Sequence, residues 1–275
     1  MKNIFKIIVL FTTLLLIQSC QKVIDVDLAT APPKLVVEAN IAWQKGSSGN
    51  RQTIKLSTTT GYFSQTFPTV SGAIVQVTNS NNVVFSFLEQ VPNSGLYICT
   101  NFLPVLNETY TLSITSGGQT YRATEKLVPV TPITKLEQKN NGGFLGNDIE
   151  VKTFFNDPAN AQNFYLYNYK YTNQIKPDYY VDRDLFYQGN EFFSRSRNND
   201  LKTGNVVNIT HFGISENYYN YLAILLDIAG SSGGGPFQSP PATVKGNVVN
   251  QTNFDNFPLG FFSLSETDSR SYTIQ

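Results

Sequence analysis

Thr109-Tyr110-Thr111-Leu112-Ser113-Ile114-Thr115-Ser116-Gly117-Gly118-Gln119-Thr120-Tyr121 decides the fold class. Tyr110, Leu112 and Ile114 alternate with Thr109, Thr111 and Ser113, the period-two pattern of a strand buried on one face. Gly117-Gly118 is a two-residue connection with the freedom for positive φ, so the chain turns back as a hairpin and runs on through Tyr121, Ala123 and Leu127. Upstream the same period recurs. Leu35, Val37, Ala39 and Ile41 share one face, Ile54 and Leu56 another, followed by Ala73, Val75 and Val77. Asn81-Asn82 turns into Val83, Phe85 and Phe87, and Pro92 to Gly95 turns into Leu96 to Thr100. About seven short strands in roughly 100 residues predict an immunoglobulin-like or transthyretin-like β-sandwich over residues 34–131. Trp43 has no disulfide to pack on, and Cys99 reads as a small buried hydrophobe in mid-strand.

Downstream, Pro129, Pro132 and the polar run Gln138 to Asn147 interrupt the pattern and place a domain boundary near Pro132. Residues 132–275 read as a second, β-rich domain. Its strands are expected at Ile149 to Phe155, Phe164 to Thr172, Leu185 to Tyr187, Glu191 to Arg197 and Val206 to Phe212, with a final pair at Gly260 to Leu264 and Ser271 to Gln275. One segment breaks the period. Ser215 followed by Glu216 to Ala229 reads as a helix, with Ser215 as N-cap, a stripe of Tyr218, Leu222, Leu225 and Ala229, and Gly230 at its end. Such a helix should plug an open end of the β domain or cover a sheet face. The expected class is all-β with one helix.

The chain opens with Lys2 and Lys6, a mostly apolar run from Ile4 to Ile17, and then Ile17-Gln18-Ser19-Cys20. A basic start, a short apolar core and a small residue before the cut make a signal peptide over residues 1–19. The apolar run is short for a membrane-spanning helix, which needs about 20 residues. A cysteine directly after the cut predicts lipidation of Cys20, with residues 20–33 as a tether. Removing residues 1–19 takes away Lys2 and Lys6, so 20 basic residues become 18 against 20 acidic, leaving no basic field for nucleic acid. With Cys20 lipidated, Cys99 stands alone, which excludes a disulfide framework. One cysteine and one histidine disfavour a structural zinc site.

Catalytic signals are weak. His211 is the one histidine and shares a strand face with Val207 and Ile209, the pattern of a packed core residue. The Gly-x-Ser-x-Gly spacing occurs once, at Gly230 to Gly234, but it follows a helix and does not join a strand to a helix, so it makes no nucleophile elbow. Asp178, Asp182, Asp184 and Glu191 supply carboxylates for a glycan hydrolase or a calcium site, but Arg183 sits among them and a solvated loop is the better reading. The glycine run Gly230 to Gly235 follows a helix instead of leading into one, so it is a linker and not a phosphate loop. No catalytic residue, metal or cofactor is expected. The one candidate ligand-binding face is Tyr165, Tyr167, Tyr169 and Tyr171, which alternate along one strand and offer large contact area with polar tips, suited to a glycan, a peptide or a protein. The competing reading of this row is a core face covered by the helix.

Two groups of short motifs carry a family resemblance. Cys20-Gln21-Lys22-Val23-Ile24-Asp25-Val26-Asp27-Leu28 followed by Pro33-Lys34-Leu35-Val36-Val37-Glu38 forms the first. Pro240-Pro241, Gly246-Asn247-Val248 and Leu259-Gly260-Phe261-Phe262 form the second. Together they resemble Bacteroidota lipoproteins grouped as domain of unknown function 4249, although Ala39 stands where that family usually has glycine. The resemblance implies an outer-membrane lipoprotein working beside a TonB-dependent transporter. It implies no activity. The expected function is a non-enzymatic accessory or ligand-binding protein, with a structural or adhesive surface protein as the alternative and a carboxylate-based glycan hydrolase as the reading with least support.

Overall fold

The computed structural model describes residues 31–61, 64, 66–143, 145–230 and 243–275. The expected signal peptide, the lipidated Cys20, most of the tether, Pro240-Pro241 and nearly all of the glycine linker lie outside them. In the first half the strands are β1 (Leu35–Gln44), β2 (Gln52–Thr58), β3 (Ile74–Asn79), β4 (Val84–Glu89), β5 (Leu96–Cys99), β6 (Thr109–Ser116) and β7 (Gln119–Val128). In the second half they are β8 (Ile133–Gly142), β9 (Asp148–Asn156), β10 (Phe164–Tyr171), β11 (Asp178–Arg183), β12 (Glu191–Arg195), β13 (Val206–Ile214), β14 (Val249–Asn250) and β15 (Leu259–Thr273). The helix α1 is Glu216–Gly230. The described chain is thus all-β with one helix.

The alternating residues face inward as their period demands. Val37, Ile54, Leu56, Val77, Tyr110, Leu112 and Ile114 are wholly buried in one core, with Phe85, Phe87 and Cys99 beside them. Gly117 and Gly118 both take positive φ, and the β6–β7 register closes on Ser116 opposite Gln119.

Closure of this sheet comes from the far end of the chain. The neighbours run β1-β2-β5-β4-β3-β6-β7, and β15 joins the two ends. β15 lies parallel to β1 from Leu259 opposite Val36 to Thr267 opposite Gln44. It meets β7 in parallel at Leu264 and Ser265. The result is an eight-strand, barrel-like sheet. From Thr267 onward β15 pairs antiparallel with β13, and the sheet continues through β10 to its edge at β11. The sequence boundary at residue 132 therefore does not separate two units. Residues 33–275 form one compact unit, because the last strand belongs to both halves.

Two strand expectations are corrected. The pair at 260–264 and 271–275 is one continuous strand, and the stretch expected at 185–187 is a turn, with the strand placed earlier at Asp178–Arg183. β15 shows no alternation because Phe261 to Asp268 is buried on both faces, polar residues included. Those polar groups are satisfied. Glu266 pairs with Lys45 at 3.0 Å and accepts the Val130 amide, while Asp268 accepts the Ile133 amide and binds Arg270 at 2.6 Å. Likewise the polar run after residue 138 does not end the pattern at once, since β8 continues to Gly142 as the outer strand of a hairpin with β9.

Gly246-Asn247 and Gly260-Phe261-Phe262 meet in space. A Cβ on Gly246 would lie 1.5 Å from the Gly260 carbonyl oxygen, and one on Gly260 would lie 2.0 Å from that of Val37. The Asn247 side chain donates to the Phe262 carbonyl and accepts the Phe262 amide, at 2.8 and 2.9 Å. Phe262 enters the barrel core, while Phe261 turns to the opposite side, under the helix.

Candidate functional site

The site is built around β10, whose two faces are both covered. The face of Phe164 and Leu166 packs under α1 through Tyr218 and Leu222, with Ile214 and Phe261. Ser215 caps this helix, its hydroxyl accepting the Tyr218 amide at 3.2 Å and donating to Glu125. The capping and the first half of the predicted stripe hold, but Leu225 and Ala229 are exposed.

The tyrosine row is the other face, and it is not an open binding surface. Tyr165, Tyr167, Tyr169 and Tyr171 are each no more than 3% exposed. The helix does not cover them. A separate three-stranded sheet, β12-β9-β8, lies across them and contributes Ile133, Val151 and Phe155 to a shared core. Three of the four hydroxyls find polar partners in that core. Tyr165 donates to Asp157, Tyr169 bonds Ser194 at 2.9 Å and Thr153 at 3.2 Å, and Tyr171 accepts the Arg197 amide at 3.4 Å. A tyrosine on a strand reads the same in sequence whether its polar tip meets solvent or a buried partner.

Tyr167 is the exception. Its hydroxyl is buried without a hydrogen-bond partner among the described residues, and the residue lines a cavity of about 400 Å³. This space lies where β11 faces β12, each the edge strand of its own sheet. β11 contributes Tyr180 and Asp182, and β12 contributes Phe192, Phe193 and Arg195. Arg197, just past β12, lies over the Tyr180 ring with its guanidinium carbon 4.2 Å from the centroid. Arg195 pairs with Glu150 at 3.1 Å. Tyr180 donates to Asp178 at 3.1 Å. Desolvation raises the Asp182 carboxyl above the ordinary aspartate range, against the Arg183 amide that it accepts at 2.8 Å. The Tyr187 hydroxyl approaches both Asp182 and Tyr167 without reaching hydrogen-bond geometry with either. Burial pushes the Tyr167 phenol well above its usual range, so it is a neutral donor at physiological pH.

The sequence carboxylates separate. Asp182 lines the cavity. Asp184 is buried elsewhere, accepting the Asn163 amide at 2.7 Å, and Glu191 is exposed and does not line the space. His211 is wholly buried among Phe155, Tyr165 and Tyr167, with ring centroids 4.7 to 5.0 Å away. Desolvation lowers its pKa to about 3. It is therefore neutral and packed away from solvent. Among the described residues no group of three or more His, Cys, Asp or Glu is arranged to hold a metal ion. Arg195, Arg197, Tyr180, Phe192 and Phe193 were not singled out from sequence. The cue for them is the Arg-x-Arg spacing at the end of an edge strand opposite another aromatic edge strand, which has meaning only once the two sheets face each other.

No curated protein matches the chain. Among solved structures, a cytokine receptor complex is similar at 8% identity and TM-score 0.26, covering 66% of this chain and 83% of that one. A two-domain fibronectin type-III segment of chicken tenascin is similar at 12% identity and TM-score 0.21, covering 66% and 90%. A DUF4785 family protein from Legionella pneumophila is similar at 10% identity and TM-score 0.26, covering 65% and 52%. At the level of sequence the match is far broader. The interlock of Gly246-Asn247 with Gly260-Phe262 joins short motifs that stand apart in the chain, and the family model described as Domain of unknown function (DUF4249) matches residues 21–271, so the chain belongs to that family.

Proposed function

We propose that this chain is a non-enzymatic, ligand-binding accessory lipoprotein, held on the outer membrane by acylated Cys20 and working with a TonB-dependent transporter. The observation that carries the binding role is the cavity between β11 and β12. It combines a desolvated carboxyl, two guanidinium groups and aromatic walls, with the buried Tyr167 among its lining residues. The basic start, the short apolar run and Ser19-Cys20 support the membrane anchor. In the same reading the barrel-like half is an immunoglobulin-like sandwich that serves as spacer or docking face, with β1-β2-β5 opposite β4-β3-β6-β7. The brief β4–β5 seam of two residue pairs supports this layout.

A second reading, a structural or adhesive surface protein that meets a protein partner directly, is favoured by one feature. Ile74, Leu88 and Val91 are 62–66% exposed on and beside the paired strands β3 and β4.

Two measurements test these readings in the native host. The wild-type chain is expected in the membrane fraction with added acyl mass, and Cys20→Ser in the soluble fraction without it. A Cys20→Ser chain that stays on the membrane contradicts the anchor. Affinity purification from native membranes is expected to bring down a transporter barrel with the chain. Recovery without any barrel contradicts the transporter role and favours the second reading.

A further inference from the structure

We infer that the cavity between β11 and β12 takes a neutral saccharide of one or two rings, an assignment that rests on the ligand-binding reading above. Size sets the first limit. About 400 Å³ accommodates one or two sugar rings, and the space opens between two unpaired sheet edges, so a longer glycan can enter by its end.

Charge sets the second limit. Arg195 is paired with Glu150, and Arg197 lies over the Tyr180 ring with its N–H groups open, its charge balanced by the Asp182 and Asp178 carboxyls of β11. An anionic ligand would have to displace these contacts, and no excess positive charge remains to reward it. Asp182 and Arg197 instead form an acceptor and a donor on one wall, which together suit the hydroxyl groups of a neutral sugar, each both donor and acceptor. The Tyr167 hydroxyl, buried and without a hydrogen-bond partner among the described residues, belongs to a residue that lines the same space. Tyr180, Phe192 and Phe193 supply apolar faces for the C–H side of a sugar ring. Hydroxyl edges on one side and C–H faces on the other describe a pyranose, and a dipeptide is the competing ligand that the titration below separates from it.

Tyr167 provides the cleanest test, because its hydroxyl makes no hydrogen bond among the described residues. The full chain, in a detergent without a sugar head group, is titrated calorimetrically with neutral mono- and disaccharides of glucose, galactose, mannose and N-acetylglucosamine. Uronic acids and dipeptides form the comparison arms. At least one neutral saccharide is expected to bind, with affinity reduced about tenfold by Asp182→Asn and by Arg197→Ala. Tyr167→Phe is expected to weaken binding severalfold with an unchanged or raised melting temperature. Tyr169→Phe, which removes a satisfied hydroxyl outside the cavity, is expected to lower the melting temperature and leave binding intact.

Dipeptide or uronic acid binding that depends on Asp182 and Arg197, with no neutral sugar bound, overturns the saccharide assignment while leaving the ligand-binding reading in place. Saccharide binding indifferent to all three cavity variants overturns the assignment of the site. Silence in every arm overturns the inference, and the accessory role then stands or falls on co-purification with the barrel.

Discussion

Gly260→Ala is expected to destabilise the chain by about 3–5 kcal/mol, a large part of the total stability of an ordinary domain. Two costs add at this position. Gly260 has φ +92°, a conformation that an L side chain rarely adopts, and its new Cβ would lie 2.0 Å from the Val37 carbonyl oxygen. Neither side has room to yield. Val37 is in the parallel pairing of β1 with β15, and the Gly246 backbone presses on the Gly260 carbonyl from elsewhere. The melting temperature should fall by about 10 °C. Gly117→Asn is the control. It also sits at positive φ, but a Cβ there meets nothing within 4 Å, so its change should stay within about 0.5 kcal/mol. Equal, small effects of the two substitutions in denaturant unfolding would contradict the close β1–β15 approach.

Acidification should expose a second large effect, centred on His211. The folded chain holds this imidazole neutral, with a pKa of about 3, because it is wholly buried. The unfolded chain protonates near the ordinary histidine value of about 6.5. Between these two values the unfolded state binds more protons, so stability falls as pH falls. The contribution of His211 is fully present above about pH 6.5, loses about 2 kcal/mol between pH 7 and pH 5, and loses about 4 kcal/mol by pH 3. The half-buried Asp182 and buried Glu125 carboxyls, both raised by desolvation, act in the opposite sense. The informative quantity is therefore the difference between wild type and His211→Leu. Urea unfolding from pH 7.5 to pH 4 is expected to give curves that converge as pH falls if wild type is the more stable at neutral pH, or that separate further if the variant is. Parallel curves would mean that His211 is already solvated or paired in the folded state.

How much of this was legible depends on how each strand is buried. Strands covered on one face, such as β1, β3 and β6, print their alternation in the sequence, and their inward residues were identified one by one. β15 does not. From Phe261 to Asp268 it is covered on both sides, and its Ser, Glu, Thr and Asp residues are buried with partners from β1 and from the segment after β7. A period-two test reads that stretch as two short strands with a polar gap. The same blindness hid the domain architecture, because only the pairing of β15 shows that the halves interlock.

The glycine-aromatic motif was visible as a pattern, and its cause is steric. Gly246 and Gly260 let two backbones approach where no Cβ fits, while Phe261 and Phe262 fill opposite cores. The candidate site was half visible. Tyr167 stood out with its row, but the row is core, and the one member with a free hydroxyl cannot be distinguished by spacing. Asp182 was noted as a carboxylate. Tyr180 shares β11 with it, but Phe192 and Arg197 come from β12 and the residues after it, and they meet Asp182 only because two sheet edges face each other.

Everything proposed about function turns on that space between β11 and β12. The most direct measurement is a crystal structure of the full chain with the tightest-binding saccharide of the panel. The expected result is a sugar ring against Tyr180 and Phe192, with hydroxyl groups in hydrogen-bond contact with Asp182 and with the Tyr167 phenol. A sugar seated on the outer face of β3 and β4, with the Tyr167 hydroxyl still unpaired and the cavity unchanged, would contradict it.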